Sequence, residues 1–220
     1  MIFSKKRVLI FSSILFLLIF ISYFYLDKNI SLYFIKHADT YKQFGKTASI
    51  IGESQWYISI AILGSIYYTY IKKNTLYKQR YLFLLYINLF SGLISLVMKM
   101  FFARLRPWKL ENGEDGFGFL FFQNPDFNFM QNLHYQLTIL LHDSTPNTSF
   151  PSGHTTTMFA LFTYMGILFP KYIYIWLSVA IFTAMSRILA NDHFLSDVFA
   201  GVLVGVFSTL FIYSKMKEKI

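Results

Sequence analysis

Three short segments of this chain carry side chains suited to holding and attacking a phosphate. They are Lys99-x6-Arg106-Pro107, Pro151-Ser152-Gly153-His154 and Ser186-Arg187-x5-His193-x3-Asp197. Together their named residues hold three fixed cations, two histidines, two serine hydroxyls and a carboxylate. Most of the remaining chain is apolar, and a charge near hydrocarbon is costly unless paired or hydrated, so these placements are functional candidates.

Phosphoryl transfer needs positive charge around the equatorial oxygens, a nucleophile in line and an acid for the leaving oxygen. Lys99 and Arg106 are seven residues apart, so a helix would project both from one face of its end. Pro107 is expected to stop that helix. Arg187 adds a planar fork suited to bidentate phosphate binding. Gly153 lets the backbone approach an anion closely. A helix starting there would aim its first N–H groups, with the Ser152 hydroxyl, at that anion. His154 stands at the edge of this cradle, where a protonated imidazole can donate to a leaving group.

His193 and Asp197 share a face if a helix begins near His193. The carboxylate then accepts from one imidazole nitrogen and leaves the other free to attack phosphorus. His193 is thus the expected nucleophile, through a phosphohistidine that a water activated by His154 would hydrolyse. Three cations already neutralise the phosphate, so no metal and no cofactor are expected. Each segment alone has a plainer reading, as snorkelling cations, an ordinary loop, or a structural hydrogen-bonded pair. All three in this order favour the chemical reading.

The elements that must position these groups are membrane helices. The 220 residues are 55% hydrophobic, 20% aromatic and 14% charged, where a soluble domain carries about 25% charged residues. There is no cysteine, which excludes disulfides and thiolate metal sites. The net charge of +9 does not point to nucleic acid, because the cations cluster between apolar runs as membrane-flanking cations do. Crossing hydrocarbon takes about 20 apolar residues. Six runs qualify: Val8 to Leu26, Ser49 to Ile71, Tyr81 to Phe102, Thr155 to Phe169, Tyr172 to Leu189 and Val198 to Tyr213. The first follows Lys5, Lys6 and Arg7 as a signal peptide would, but it is long and no small-x-small site follows, so it reads as a retained helix. The expected fold is all-α: a six-helix polytopic membrane bundle forming one domain over residues 1–220.

Loop charge sets orientation. With six spans, eleven cations fall on the side of the termini and nine on the other. Three of those nine (Lys99, Arg106 and Arg187) have a catalytic explanation. Both termini are therefore expected in the cytoplasm of a bacterial cell, and all three motifs at the outer face of its inner membrane. Between the third and fourth spans, Trp108 to Phe150 is a 43-residue extracytoplasmic loop, far beyond ordinary connections of up to about 15 residues. It is rich in phenylalanine, Leu133 to Leu141 reads as a short interfacial helix, and the segment is a candidate lid or lateral wall. Arg104 is expected off the Lys99–Arg106 face as an interfacial cation, and Asp192 as a solvated carboxylate. His37, His134 and His142 read as loop residues without metal-ligand spacing.

The three segments, KMFFARLRP, PSGH and SRILANDHFLSD, resemble the type 2 phosphatidic acid phosphatase superfamily in residue type and spacing over about residues 80–214. The resemblance implies a helical bundle and a metal-independent phosphatase. Its nucleophile would be His193, with Asp197 as partner and His154 as general acid/base. Lys99, Arg106, Ser152, Gly153 and Arg187 would form the phosphate-binding set. Soluble haloperoxidases share this site, but six apolar spans argue against that branch. The expected substrate is a membrane lipid phosphate: lipid A, undecaprenyl pyrophosphate, phosphatidylglycerophosphate or phosphatidic acid, with the first two favoured by an outward site. A lipid phosphotransferase and a non-catalytic headgroup-binding protein are the alternatives, and the oligomeric state is open.

Overall fold

A computed structural model describes residues 4–112, 118, 128–142 and 148–220. Among them the secondary structure is helical throughout, without a strand. The long helices form because long apolar runs can satisfy their backbone groups only internally. In chain order they are α1 (Lys5–Ile21), α2 (Asp27–Lys36), α3 (Ala38–Ser49), α4 (Ser54–Tyr70), α5 (Thr75–Phe102), α6 (Phe129–His142), α7 (Gly153–Leu168), α8 (Ile173–Leu189) and α9 (Leu195–Met216). A π-helical turn, Ser22–Leu26, joins α1 to α2.

Four helical stretches are long and apolar enough to cross a membrane: Lys6–Lys36, Thr75–Leu110, Pro170–Leu189 and Leu195–Met216. The chain is thus an all-helical, multi-pass membrane protein. Two of the six expected spans correspond to shorter helices, α4 with 17 residues and α7 with 16. The first expected span does not end at Leu26. It continues through the π-turn to Lys36, making a 31-residue helix about 46 Å long at 1.5 Å per residue. The polar stretch after it, expected as a loop, folds into α3 and packs along α8.

The core lies around α9, which packs on α7, α5 and α1. Its contact with α7 is unusually close. A Cβ on Gly205 would stand 2.4 Å from the Thr156 carbonyl oxygen, and one on Gly201 2.7 Å from that of Ser152. Small residues four apart let two helix backbones touch where apolar burial supplies little driving force. Thr209 Oγ1 donates across the same seam to the Ala160 carbonyl at 3.2 Å. The seam brings the N-terminal ends of α7 and α9 side by side, and those ends carry the second and third motifs.

In the long loop, a 3-10 turn spans Pro107–Asn112 and a helix spans Phe129–His142, slightly longer than the short helix expected there. His134 and His142 are therefore helical rather than loop residues. His37 separates α2 from α3, its Nδ1 2.8 Å from the Tyr33 carbonyl oxygen. Most of the aromatic stretch from Phe117 to Phe127, and the lid expected of it, lies outside the described residues.

Candidate active site

The three motifs converge where α5 ends and α7 and α9 begin. The α9 N-terminus is built by Asp197, whose Oδ2 accepts from the Phe194 backbone N–H at 2.8 Å. A carboxylate there satisfies an otherwise orphaned donor of the first turn and meets the positive end of the helix dipole. The second motif docks onto it, since the Ser152 N–H donates to the Asp197 carbonyl at 3.0 Å. The Ser152 side chain is buried and accepts from Thr155 Oγ1 at 3.0 Å. Gly153 opens toward the site: a Cβ there would meet only Lys99 Nζ, at 3.8 Å.

The geometry corrects the expected His193–Asp197 hydrogen bond. His193 Nδ1 lies 3.8 Å from Asp197 Oδ2, too long for one. It lies 2.7 Å from the Ser149 carbonyl oxygen instead. A carbonyl only accepts, so Nδ1 carries the proton. The carboxylate is already committed: to Phe194, to Ser149 Oγ at 2.5 Å and to Arg104 at 2.6 Å. Asp197 therefore acts on the imidazole at one remove, by fixing the serine whose carbonyl orients the ring. Burial, followed by the charges of Arg106, Arg187 and Lys99, holds the His193 pKa well below its ordinary 6.5. The ring is neutral, and its Nε2 keeps a free lone pair.

The cations do not meet by helical periodicity. Helix α5 ends at Phe102, and Ala103 turns left-handed with φ 48°, so Arg104 to Arg106 leave the helix and Pro107 opens the following 3-10 turn. Lys99 and Arg106 are nonetheless brought to one place, within electrostatic reach of each other and of His154, Arg187 and His193. Arg187 is buried and its guanidinium donates to Asp192 at 2.7 Å, so Asp192 is an ion-pair partner rather than a solvated carboxylate. The Nε atoms of Arg106 and Arg187 are buried and have no hydrogen-bond partner among the described residues.

Arg104 is a second correction. It is 0% exposed, and its guanidinium reaches Asp197 at 2.6 Å, Ser196 Oγ at 2.7 Å and Asp27 at 2.9 Å. Asp27, also buried, accepts from the Ser196 N–H at 2.9 Å and from the Ser196 hydroxyl. The Arg104 cation lies 4.0 Å from the Phe194 ring centroid. This network ties the first helix to the catalytic loop. So does Ser31 Oγ, which donates to Asn191 at 2.9 Å.

Of the four arginine and lysine side chains at the site, Arg104 and Arg187 have carboxylate partners, whereas Lys99 and Arg106 have none among the described residues. These two cations, without an ion-pair partner among the described residues and within electrostatic reach of His193, give the site a chemistry suited to an anion. Among the described residues no group of three His, Asp or Glu side chains is placed to hold a metal ion.

A family model for the PAP2 superfamily matches residues 80–220. The chain is 29% identical to a lipid A 1-phosphatase of Rhizobium etli, over 74% of this chain and 66% of that protein. It is 28% identical to a lipid A 4'-phosphatase of Porphyromonas gingivalis, over 73% of this chain and 61% of that protein. A shorter match, 37% identical over 30% of this chain and 33% of the relative, is to the bacitracin transport permease protein BcrC of Bacillus licheniformis. The chain spans just under two thirds of the length of the first relatives it matches. No solved structure matches at a significant level.

Proposed function

Since the chain belongs to the PAP2 superfamily, we propose that it is a metal-independent phosphatase acting on a membrane lipid phosphate through a phosphohistidine. The observation that carries this reading is the state of His193. Its Nδ1–H is committed to the Ser149 carbonyl, which leaves the Nε2 lone pair in the field of Arg106, Arg187 and Lys99.

Nε2 attacks phosphorus while the bond to the leaving oxygen breaks, and His154 donates the proton that this oxygen needs. Burial, then the charges of Arg187, Lys99 and Arg106, hold the His154 pKa down to about 3. The substrate dianion offsets those cations and lets the imidazole protonate. Lys99, Arg106 and Arg187 hold the equatorial oxygens, with Ser152 and the Gly153 backbone at the start of α7 completing the cradle. Water then attacks the phosphohistidine, gives its proton to His154 and breaks the P–N bond. Asp197 positions His193 through Ser149.

The substrate favoured is a phosphomonoester or pyrophosphate at a lipid headgroup, with lipid A or undecaprenyl pyrophosphate first. The names of the lipid A phosphatase relatives support that choice. In this reading α4 and α7 complete a six-span bundle, both termini lie in the cytoplasm and the site faces outward from a bacterial inner membrane. The cation asymmetry supports that orientation, more strongly now that Arg104 is an internal ion-pair partner rather than a flanking charge.

The test is phosphate release by the purified protein from a panel of lipid phosphates, with and without chelator, compared with His193→Ala. The wild type is expected to turn over at least one lipid phosphate equally well with chelator, and acid-stable trapping is not expected, since a phosphoramidate is acid-labile. Turnover by a well-folded His193→Ala variant would end the phosphohistidine mechanism.

A further inference from the structure

Between α4, α5, α7 and α8 runs a partly open cavity of about 420 Å³, from Ile51 and Met158 toward the motif end to Phe169 at the opposite end. Its body is apolar, lined by residues such as Met158, Leu161, Met165 and Val179. Two of its lining residues break that pattern. Arg80 Nε and Trp176 Nε1 are both buried, and neither has a hydrogen-bond partner among the described residues. A buried donor without an acceptor is costly and uncommon in folded proteins, and two on one cavity imply a missing acceptor.

Both donors sit on helices that meet the C-terminal half of α7. Tyr164 Oη donates to the Arg80 carbonyl at 3.1 Å, and Gly166 faces Ile173, which lies one turn before Trp176. Tyr164 is ten residues along α7 from His154, about 15 Å at the helical rise, so this is not the catalytic cradle. The charge around it is one-sided. Ile71 to Arg80 holds Lys72, Lys73, Lys78 and Arg80 without an acid, and Lys171 lies in the turn before α8. Glu218 follows α9 at the same end.

We propose that this cavity is a second lipid site, which takes an anionic phospholipid. A headgroup phosphodiester oxygen accepts from Arg80 and Trp176, and an acyl chain fills the apolar body. Basic pockets between membrane helices commonly receive anionic headgroups in this way. Free phosphate would satisfy the donors but leave the apolar volume empty. The proposal does not depend on the phosphatase reading, because a phosphodiester lipid has no terminal phosphate for His193 to attack.

The test is thermal unfolding of the full chain in detergent micelles doped with phosphatidylglycerol, with phosphatidylcholine, or with inorganic phosphate alone. Ligands that bind the folded state raise the midpoint. Phosphatidylglycerol is expected to raise it well above the other two additions. Arg80→Gln should lose that rise. Trp176→Phe, which keeps a smaller aromatic side chain and removes the N–H, should diminish it even if Arg80→Gln fails to fold. Arg187→Gln and the exposed Lys72→Gln should keep it. An equal rise with phosphatidylcholine or inorganic phosphate overturns the proposal. So does loss of the rise in Arg187→Gln, which would place the anion in the catalytic site, or in Lys72→Gln, which would mean surface adsorption. A rise retained in both Arg80→Gln and Trp176→Phe also overturns it.

Discussion

The buried cation Arg104 makes the most exposed forecast. Replacing it with methionine keeps much of the side chain's volume and removes its charge. Two carboxylates, Asp27 and Asp197, then lose their shared partner, and both are fully buried. Removing one member of a buried ion pair costs about 3–5 kcal/mol. Here one deletion strands two acids, so the upper part of that range applies, about 5 kcal/mol by the same principle. In a chain of this size each kcal/mol moves the unfolding midpoint by about 2–4 °C, which makes a fall of about 10–20 °C. Adding Asp27→Asn to Arg104→Met removes one stranded charge and should recover part of the loss. A coupling of about 0.5–3 kcal/mol is expected between two side chains in direct contact. Activity should not recover with it, because Asp197 still lacks the guanidinium that holds Oδ1, and Ser149 and His193 depend on where Asp197 sits. The assay is the midpoint in detergent by tryptophan fluorescence, paired with kcat on a soluble phosphate ester. An Arg104→Met protein as stable and as active as wild type would refute the assignment. Full recovery of kcat in the double variant would refute the positional link to His193.

Arg187→Lys replaces a planar fork by a point charge and gives up a charged hydrogen bond worth about 1.5–3 kcal/mol. A loss of about 10–100-fold in kcat/KM follows, checked with a soluble ester so that lipid access plays no part. Asp192→Asn keeps the Arg187 contact as a neutral hydrogen bond and should cost less than Arg187→Lys in the same assay. The depressed pKa of His193 fixes a sign for pH. Below 6.5 the unfolded chain takes up a proton on this residue that the folded chain refuses, so stability falls as pH drops beneath 6.5. His193→Asn should flatten that slope in unfolding midpoints measured between pH 5 and 8. A steeper slope in the variant would contradict a neutral, buried imidazole.

The helices were legible wherever burial is apolar. Each of the six runs overlaps a helix, but the first continues to Lys36 and only four helical stretches are long and apolar enough to cross a membrane. The stretch from Asp27 to Ser49 escaped because its buried positions are small or polar. The α3 face that packs on α8 is Gly45 and Ser49, and a Cβ on Gly45 would stand 2.4 Å from the Ala190 nitrogen. A search for long apolar runs passes over α3, which is polar on average although amphipathic.

The site is legible in its residue types but not in its links: Asp197, Arg104 and Asp192 each pair otherwise than their spacing implies. Side chains with chemistry at fixed spacing mark which residues converge, but spacing does not say which atom faces which. Asp197 is four residues from His193, and that separation is equally what a helix-capping carboxylate needs; capping has taken its Oδ2. Arg104 points elsewhere than its spacing implies because α5 ends at Phe102 and does not continue through Arg106. No local signal marks Ala103 as left-handed, a conformation that costs an alanine about 1–2 kcal/mol. One signal was available: Asp27 closes an apolar run, and an ionisable residue in a membrane helix is expected to have a partner. Its partners lie 77 and 169 residues away, beyond any periodic pattern. That pairing also ties the motif-free first helix to the candidate site. Arg104 serves two carboxylates at once, one from that helix and one at the start of α9, and neither alone would occupy all its donors. With Arg104 shared by two carboxylates and Arg187 paired with Asp192, Lys99 and Arg106 are the site's cations without an ion-pair partner among the described residues, which suits them to an anionic phosphate.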